Sequence, residues 1–374
     1  MKFIDLKRQY HQIKNDINND IVNICENSDF VLGQKVFDLE RTLSDYVGVK
    51  HCVTCASGTD ALIISLMAYN IGFNDAVFTT NFSYFATTEA ISLVGANPIF
   101  VDIESETYNI SPELLEIEIK KVIKENKFIP KAIIAVDLFG QLADYDKLQK
   151  IADKYNLILI EDAAQSFGAR FKEKKSCSFG HIAATSFYPA KPFGAYGDGG
   201  AIFTNDSKID QLCRSIRVHG QGIDKYDNVR IGLNSRLDTI QAAILLRKFK
   251  IFNDELVMRN ELSDFYNTNL DSIVKTPNIK NDYFSSWAQY SILLDNESQR
   301  DALVNFLSAR NIPTAIFYKK IFSELEIYSK NYLNRKFPIS KAVSKKILSL
   351  PMHPYIKESE RSEITKQIQC FINK

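Results

Sequence analysis

The sequence predicts an α/β fold, a mostly parallel central sheet with helices on both faces, followed by a smaller C-terminal α+β domain. Three observations carry this expectation. From about residue 49 to 205, short β-rich runs alternate with helix-patterned stretches, the order that builds a parallel sheet. One of those runs, LILIE, is apolar almost throughout, as a strand covered on both faces must be. Beyond residue 236 the texture changes to one long helical stretch and then a mixed tail. The expected division is 1–249 for a large domain with its N-terminal segment and 250–374 for a small one.

Taken in order, the N-terminal MKFIDLKRQYHQIKND is polar and charged from its second residue, which excludes a secretory signal. Strands are expected at HCVTCA, AVFTTN, NPIFVDI, KAIIAVDL, NLILIED, ATSFYP and GAIFTND. Helices are expected between them at TDALIISLMAYNIG, TEAISLVGA and YDKLQKIADKYN. The run LDTIQAAILLRKFKIFNDELVMRNELSDFYNTNL has no Pro or Gly to end a helix, so it reads as the joint between the domains. After TPNIKND, SSWAQYSILLD is strand-like and ESQRDALVNFLSARN helical.

Composition narrows the function classes. Over 374 residues, 45% are hydrophobic and 24% charged, as in an ordinary soluble protein. Lys+Arg 46 against Asp+Glu 45 leaves a net charge of +1, so no basic footprint marks nucleic acid or an acidic membrane. No apolar run approaches the roughly 18 residues of a membrane span. Six scattered cysteines suit a reducing compartment, and a cytoplasmic protein is expected. Cys52 and Cys55 have the spacing of a metal or redox pair. On a strand, however, residues three apart face opposite ways, so both read as structural. No cluster of His, Cys and carboxylates has ligand spacing, and no metal is expected.

Four places carry chemistry. Asp162, beside Glu161, ends a buried strand at the edge where open α/β sheets bind ligands, although a helix N-cap explains an acid there equally well. Lys191 follows another strand, between Pro189 and Pro192 and ahead of Gly194, Gly197, Gly199 and Gly200. A lysine there reads either as a solvated residue on a hairpin turn or, held in a stiff loop and shielded from water, as one whose lowered pKa lets it form a Schiff base with a carbonyl. Ser57-Gly58-Thr59-Asp60 lies where a strand turns into a helix, a phosphate site or a plain N-cap. Tyr84 and Phe85 open the next helix, where an aromatic either stacks on a planar ring or packs in a core. Together they match one cofactor: a phosphate cradle, a stacking ring, a carboxylate for a pyridine nitrogen and a lysine for an aldehyde.

The runs EDAAQSFGA, TSFYPAKPFGAYGDGGAIFTN, RVHGQG and GLNSRLDTIQAAIL, with FIDLKRQY, FVLGQKVFDLE, SGTDAL, FVDIESETYNI and LSLPMHPY, resemble the DegT/DnrJ/EryC1/StrS sugar-nucleotide aminotransferases. The resemblance covers nearly the whole chain. It implies the type I, aspartate aminotransferase-like fold, pyridoxal 5'-phosphate on Lys191, and L-glutamate as amino donor. It places Asp162 on the pyridine nitrogen, Gln165 beside the phenolic oxygen and Tyr84 against the ring. Gly58, Thr59 and Ser186 fall at phosphate positions, and Asn234 at an asparagine that the neighbouring subunit lends to the same phosphate. A homodimer with shared sites is implied, as is a role in amino-sugar supply for a glycan such as lipopolysaccharide O-antigen.

SCSFGHIAATSFYPAKPFGAYGDGG, NSRLDTIQAAIL and LSLPMHPY most resemble the branch that aminates C3 of a UDP-2-acetamido-3-oxo-glucuronate. Arg236, from the neighbouring subunit, is then a candidate partner for an anionic part of the substrate. Where that branch carries His-Tyr-Pro beside the sugar, this chain has Phe317-Tyr318-Lys319, which leaves room for a neutral or 6-deoxy sugar. The alternatives are a dTDP-3-keto-6-deoxyhexose aminotransferase and a non-catalytic regulator that binds the cofactor. A dehydratase on the same scaffold would replace Lys191 with histidine. His219 is expected either near the site or in a hydrogen-bonded structural role, and His353 recurs with the C-terminal run and carries no assigned role.

Overall fold

The structure is a computed structural model and describes residues 1–224 and 226–373. Its elements begin α1 (Leu6–Asn27), α2 (Gln34–Val47), β1 (His51–Cys55), α3 (Gly58–Ala68), β2 (Asp75–Thr80), α4 (Ala86–Leu93), β3 (Asn97–Val101) and α5 (Pro112–Glu125). They continue β4 (Ile129–Val136), α6 (Tyr145–Tyr155), β5 (Ile158–Asp162), the short β6 (Arg170–Phe171) and β7 (Lys174–Lys175), β8 (Ile182–Ser186), β9 (Gly200–Thr204), α7 (Ser207–Ile216) and α8 (Thr239–Leu270). The tail holds β10 (Tyr283–Phe284), β11 (Tyr290–Leu293), α9 (Glu297–Ser308), α10 (Glu326–Ser329), α11 (Pro338–Lys346), β12 (Ile347–Leu350) and α12 (Glu358–Ile372).

Seven strands form one sheet in the order β1-β9-β8-β5-β4-β2-β3, and they are the seven runs read as strands from sequence. Only β9 runs against its neighbours; the other pairings are parallel. Boundaries move by a residue or more in each, most of all where the run expected at 184–189 spans Ile182–Ser186 and the chain leaves the ladder for the proline-flanked loop. Strand parity sorts the side chains. Ile134, Ile160 and Cys55 join a core with α3 and α7, while Ile133 and Leu159 join one with α5 and α6. Cys52 packs with α2 and α8 instead, so it and Cys55 lie on opposite faces. Both thiols are free, and burial pushes both up in pKa.

The 32-residue α8 is about 48 Å long at 1.5 Å per residue. Leu245 and Phe252 pack beneath the sheet, whereas Leu262 and Tyr266 join a separate core with β11, β12, α9 and α12. The segment that follows α9 doubles back over the sheet. Ile321, Phe322 and Tyr328 pack on Phe82, Phe100 and Val136, at the C-terminal ends of β2, β3 and β4. Asn81 fastens it, donating to Ser323 Oγ at 3.0 Å and accepting the Ser323 N–H at 2.9 Å. This brings Phe317 and Tyr318 to the edge where Asp162 ends β5. Among the described residues no helix is long and apolar enough to cross a membrane.

Candidate active site

Parity along β5 separates its two terminal acids. Glu161 turns toward Asp137, accepting N–H bonds from Cys177 at 2.6 Å and Phe179 at 2.9 Å. Asp162 turns to the other face, where Thr87 on α4 donates its hydroxyl at 2.7 Å and the Ala164 N–H lies at 3.2 Å. No helix follows Asp162; the chain makes a turn, so the N-cap reading does not hold. Burial raises the Asp162 pKa, against which Thr87, Ala164 and the Lys191 amine favour the charged form. In its charged form, so buried a carboxylate is short of one cationic or strongly donating partner.

Lys191 lies at the crown of a tight loop. Its N–H bonds the Tyr188 carbonyl at 2.9 Å, while Ala195 N–H closes on Phe187 O at 2.7 Å. A Cβ on Gly194 would meet the Tyr188 and Pro189 carbonyl oxygens at 2.5 and 2.7 Å, so glycine is required for this closure. Loss of water around the amine lowers its pKa to about 8, partly opposed by Asp162. A substantial fraction is therefore neutral near pH 7 to 8, as a nucleophile and proton carrier must be.

The phosphate candidate forms where β1 turns into α3. Ser57 caps that helix, accepting the Asp60 N–H at 3.0 Å, and Gly58 and Thr59 keep N–H groups without an acceptor among the described residues. A Cβ at Gly58 would lie 2.6 Å from the Ser186 Cβ, so the two backbones meet at one point. Ser186 Oγ accepts the Tyr188 N–H at 3.2 Å. Gln165 is oriented from both ends: its Oε1 accepts the Phe139 N–H at 2.8 Å, so its Nε2 donates to Tyr318 Oη at 3.1 Å. Tyr84 is exposed, its ring centroid 6.4 Å from that of Tyr318.

The structure thus brings Lys191, Asp162, Gln165, Tyr84 and Tyr318 around one volume at the C-terminal strand ends, with Gly58, Thr59 and Ser186 meeting beside the Lys191 loop. Phe317 packs edge-on to Phe3 at 6.2 Å. Asn234 is solvent-exposed and its side chain bonds nothing among the described residues; Arg236 is partly buried and carries no ion pair among them. His219 is exposed, whereas His353 is buried, its pKa lowered to about 4 by burial and Arg259, and reads as structural. Sequence reasoning missed Thr87. No local signal marks it: Thr87 is a buried residue in the first turn of α4, and Tyr84 lies outside that helix. Among the described residues no group of three His, Cys or carboxylates is placed for a metal.

A depressed amine, a buried anion near it, and free N–H groups at a helix start fit the aldehyde, ring nitrogen and phosphate of pyridoxal 5'-phosphate. Comparison with known proteins agrees. Residues 11–369 match the model of the DegT/DnrJ/EryC1/StrS aminotransferase family. A UDP-2-acetamido-2-deoxy-3-oxo-D-glucuronate aminotransferase of Pseudomonas aeruginosa is 43% identical over 95% of this chain and 96% of its own length. A pleiotropic regulatory protein of Geobacillus stearothermophilus is 37% identical over 98% of this chain and 97% of its own. The crystal structure of a DegT DnrJ EryC1 StrS aminotransferase from Brucella abortus has a TM-score of 0.97 and 46% identity, with both chains covered completely.

Proposed function

Because the chain belongs to the DegT/DnrJ/EryC1/StrS aminotransferase family and uses pyridoxal 5'-phosphate, we propose that it transfers nitrogen from L-glutamate to C3 of a UDP-linked 2-acetamido-3-oxo sugar. The observation that carries this reading is the Lys191 amine, held at a pKa of about 8 beside the buried carboxylate of Asp162. The extent of similarity to the Pseudomonas aeruginosa enzyme supports the UDP-linked 3-oxo substrate. The Phe317-Tyr318-Lys319 run favours a sugar whose C6 group needs no imidazole, with Arg236 toward its anionic part.

When bound, the cofactor supplies an aldehyde carbon that takes up and returns the amino nitrogen, and a pyridine ring that withdraws electrons from the carbon losing its proton. This chain's residues do the rest. Asp162, whose charged form is favoured by Thr87, Ala164 and Lys191 against burial, would pair with the protonated ring nitrogen. Gln165 presents its amide toward the ring's oxygen substituent, fixed by Phe139 and Tyr318. Gly58, Thr59 and Ser186 would hold the phosphate, and Tyr84 would lie against the ring. Lys191 Nζ would take a proton from the donor's α-carbon and, in the second half of the exchange, deliver one to C3 of the sugar.

The working unit in this reading is a cytoplasmic homodimer with shared sites. Ile223, Val229 and Ile231 project into solvent from the segment leading to Asn234, an apolar edge suited to a second copy of the chain. The product is an activated amino sugar for a surface glycan such as O-antigen. The experiment is an absorbance spectrum of the holoenzyme before and after L-glutamate, followed by turnover on UDP- and dTDP-linked 3-keto sugars. A band that bleaches with release of 2-oxoglutarate, and preference for the UDP substrate, are expected. A band that glutamate leaves unchanged would favour a regulator, and a dTDP preference would overturn the substrate assignment.

A further inference from the structure

A second lysine lies directly behind the first. Lys248, on α8, is only 2% exposed, and its Nζ donates to the carbonyl of Gly194, three residues beyond Lys191. The same ammonium stands 5.0 Å from the centroid of the Tyr196 ring. Seven residues earlier, on the same face of α8, Gln241 Oε1 accepts the Tyr196 N–H at 2.9 Å. The loop that carries Lys191 is therefore tied to one helix at Gly194 and at Tyr196.

Burying this ammonium is costly, and the structure compensates it weakly. The nearby carboxylate, Glu255, is engaged by Gln9 Nε2 at 2.7 Å and by the Tyr355 hydroxyl, and Arg259 adds a second buried cation. A methionine would fill the same space without that cost. What the ammonium adds is the tether.

We propose that Lys248 is a positioning residue for Lys191, anchoring the Tyr188–Gly197 loop to α8 together with Gln241 and so fixing where the Lys191 amine points. This rests on Lys191 being the cofactor lysine. Lys248 itself touches neither cofactor nor substrate and moves no proton. It acts through the Gly194 carbonyl, keeping the loop closed and the Lys191 amine away from water. Direct repulsion between the two lysines is not the cause, because burial and Asp162 account for the Lys191 pKa.

The test uses Lys248→Met and Gln241→Leu. Apoprotein is labelled with trinitrobenzenesulfonate across pH, and modification of Lys191 is quantified by peptide mass spectrometry, with and without pyridoxal 5'-phosphate. In wild type a labelling midpoint near pH 8 is expected. Each variant is expected to move it upward by at least about one pH unit. In the holoenzyme, kcat should fall by at least roughly tenfold at unchanged KM for the keto-sugar nucleotide. A native midpoint in both folded variants overturns the tether. If Lys248→Met does not fold, Gln241→Leu decides alone, since it alters a half-buried side chain at the other anchor, and an unchanged midpoint there overturns the proposal. Failure of the cofactor to protect Lys191 in wild type is a separate result, which sinks the assignment of Lys191 instead.

Discussion

Replacing Thr87 with valine removes one hydroxyl and little else, because the two side chains are nearly the same shape. That hydroxyl donates to Asp162 Oδ2 at 2.7 Å in a buried setting and is the largest influence opposing the rise that burial imposes on the Asp162 pKa. A hydrogen bond to a charged group contributes about 1.5–3 kcal/mol. Taking about 2 kcal/mol, the Asp162 pKa rises further, and transition-state stabilisation that depends on the anion falls by up to roughly thirtyfold. The sign follows from the direction: a higher pKa leaves less carboxylate at acid pH, so the deficit is largest there and shrinks as pH rises. Steady-state kcat across pH for wild type, Thr87→Val and Thr87→Ser is the assay, with cofactor dissociation measured alongside. Serine keeps the donor and should stay within about threefold of wild type. A valine variant within twofold of wild type at every pH, releasing cofactor no faster, would refute the role given to Thr87.

Tyr318→Phe strips Gln165 Nε2 of its partner at 3.1 Å, and a loss of about 1–1.5 kcal/mol, roughly tenfold in kcat, is expected; an effect confined to the sugar-nucleotide KM would return Tyr318 to substrate binding. Glu40 accepts from Arg217 at 2.5 Å, Arg214 at 2.8 Å and Thr54 N–H at 2.9 Å, so Glu40→Ala should cost about 3–5 kcal/mol in a urea unfolding curve. Burial pushes the Glu40 pKa up, but the two guanidiniums and Thr54 outweigh it and hold it below 4.5. The stability gap should therefore be complete above pH 4.5 and close as pH falls through the lower folded value; a gap independent of acid would contradict the ion pair. Finally, Lys191→Ala and Asn234→Asp, each inactive alone, should recover about a quarter of wild-type activity when co-refolded, because half the dimers then hold one intact site. No recovery would mean that each chain builds its own site.

The groups that react were legible because local sequence marks them. Lys191 has two prolines and a run of glycines around it, Asp162 ends an apolar run, and Gly58-Thr59 follow a strand into a helix. Seven strands were found on the same terms, since alternation and burial are written within each run. The supporting residues carry no such mark. Thr87 reads as an ordinary helix residue until β5 brings up Asp162, 75 positions away in the chain. Tyr318 drew notice only as a departure from a pattern, and Gln165, which it bonds, lies 153 positions earlier. Lys248 stands in LLRKFK, where a lysine reads as a solvated face; only the fold turns it inward against the Gly194 carbonyl. The division has a physical cause. A reacting group needs a particular backbone at its own position, and backbone preference is local, whereas the pKa and aim of that group depend on donors delivered by other elements. Thr87, Tyr318 and Lys248 come from α4, the segment after α9, and α8, so the reactivity of Lys191 and Asp162 is a property of how those elements pack.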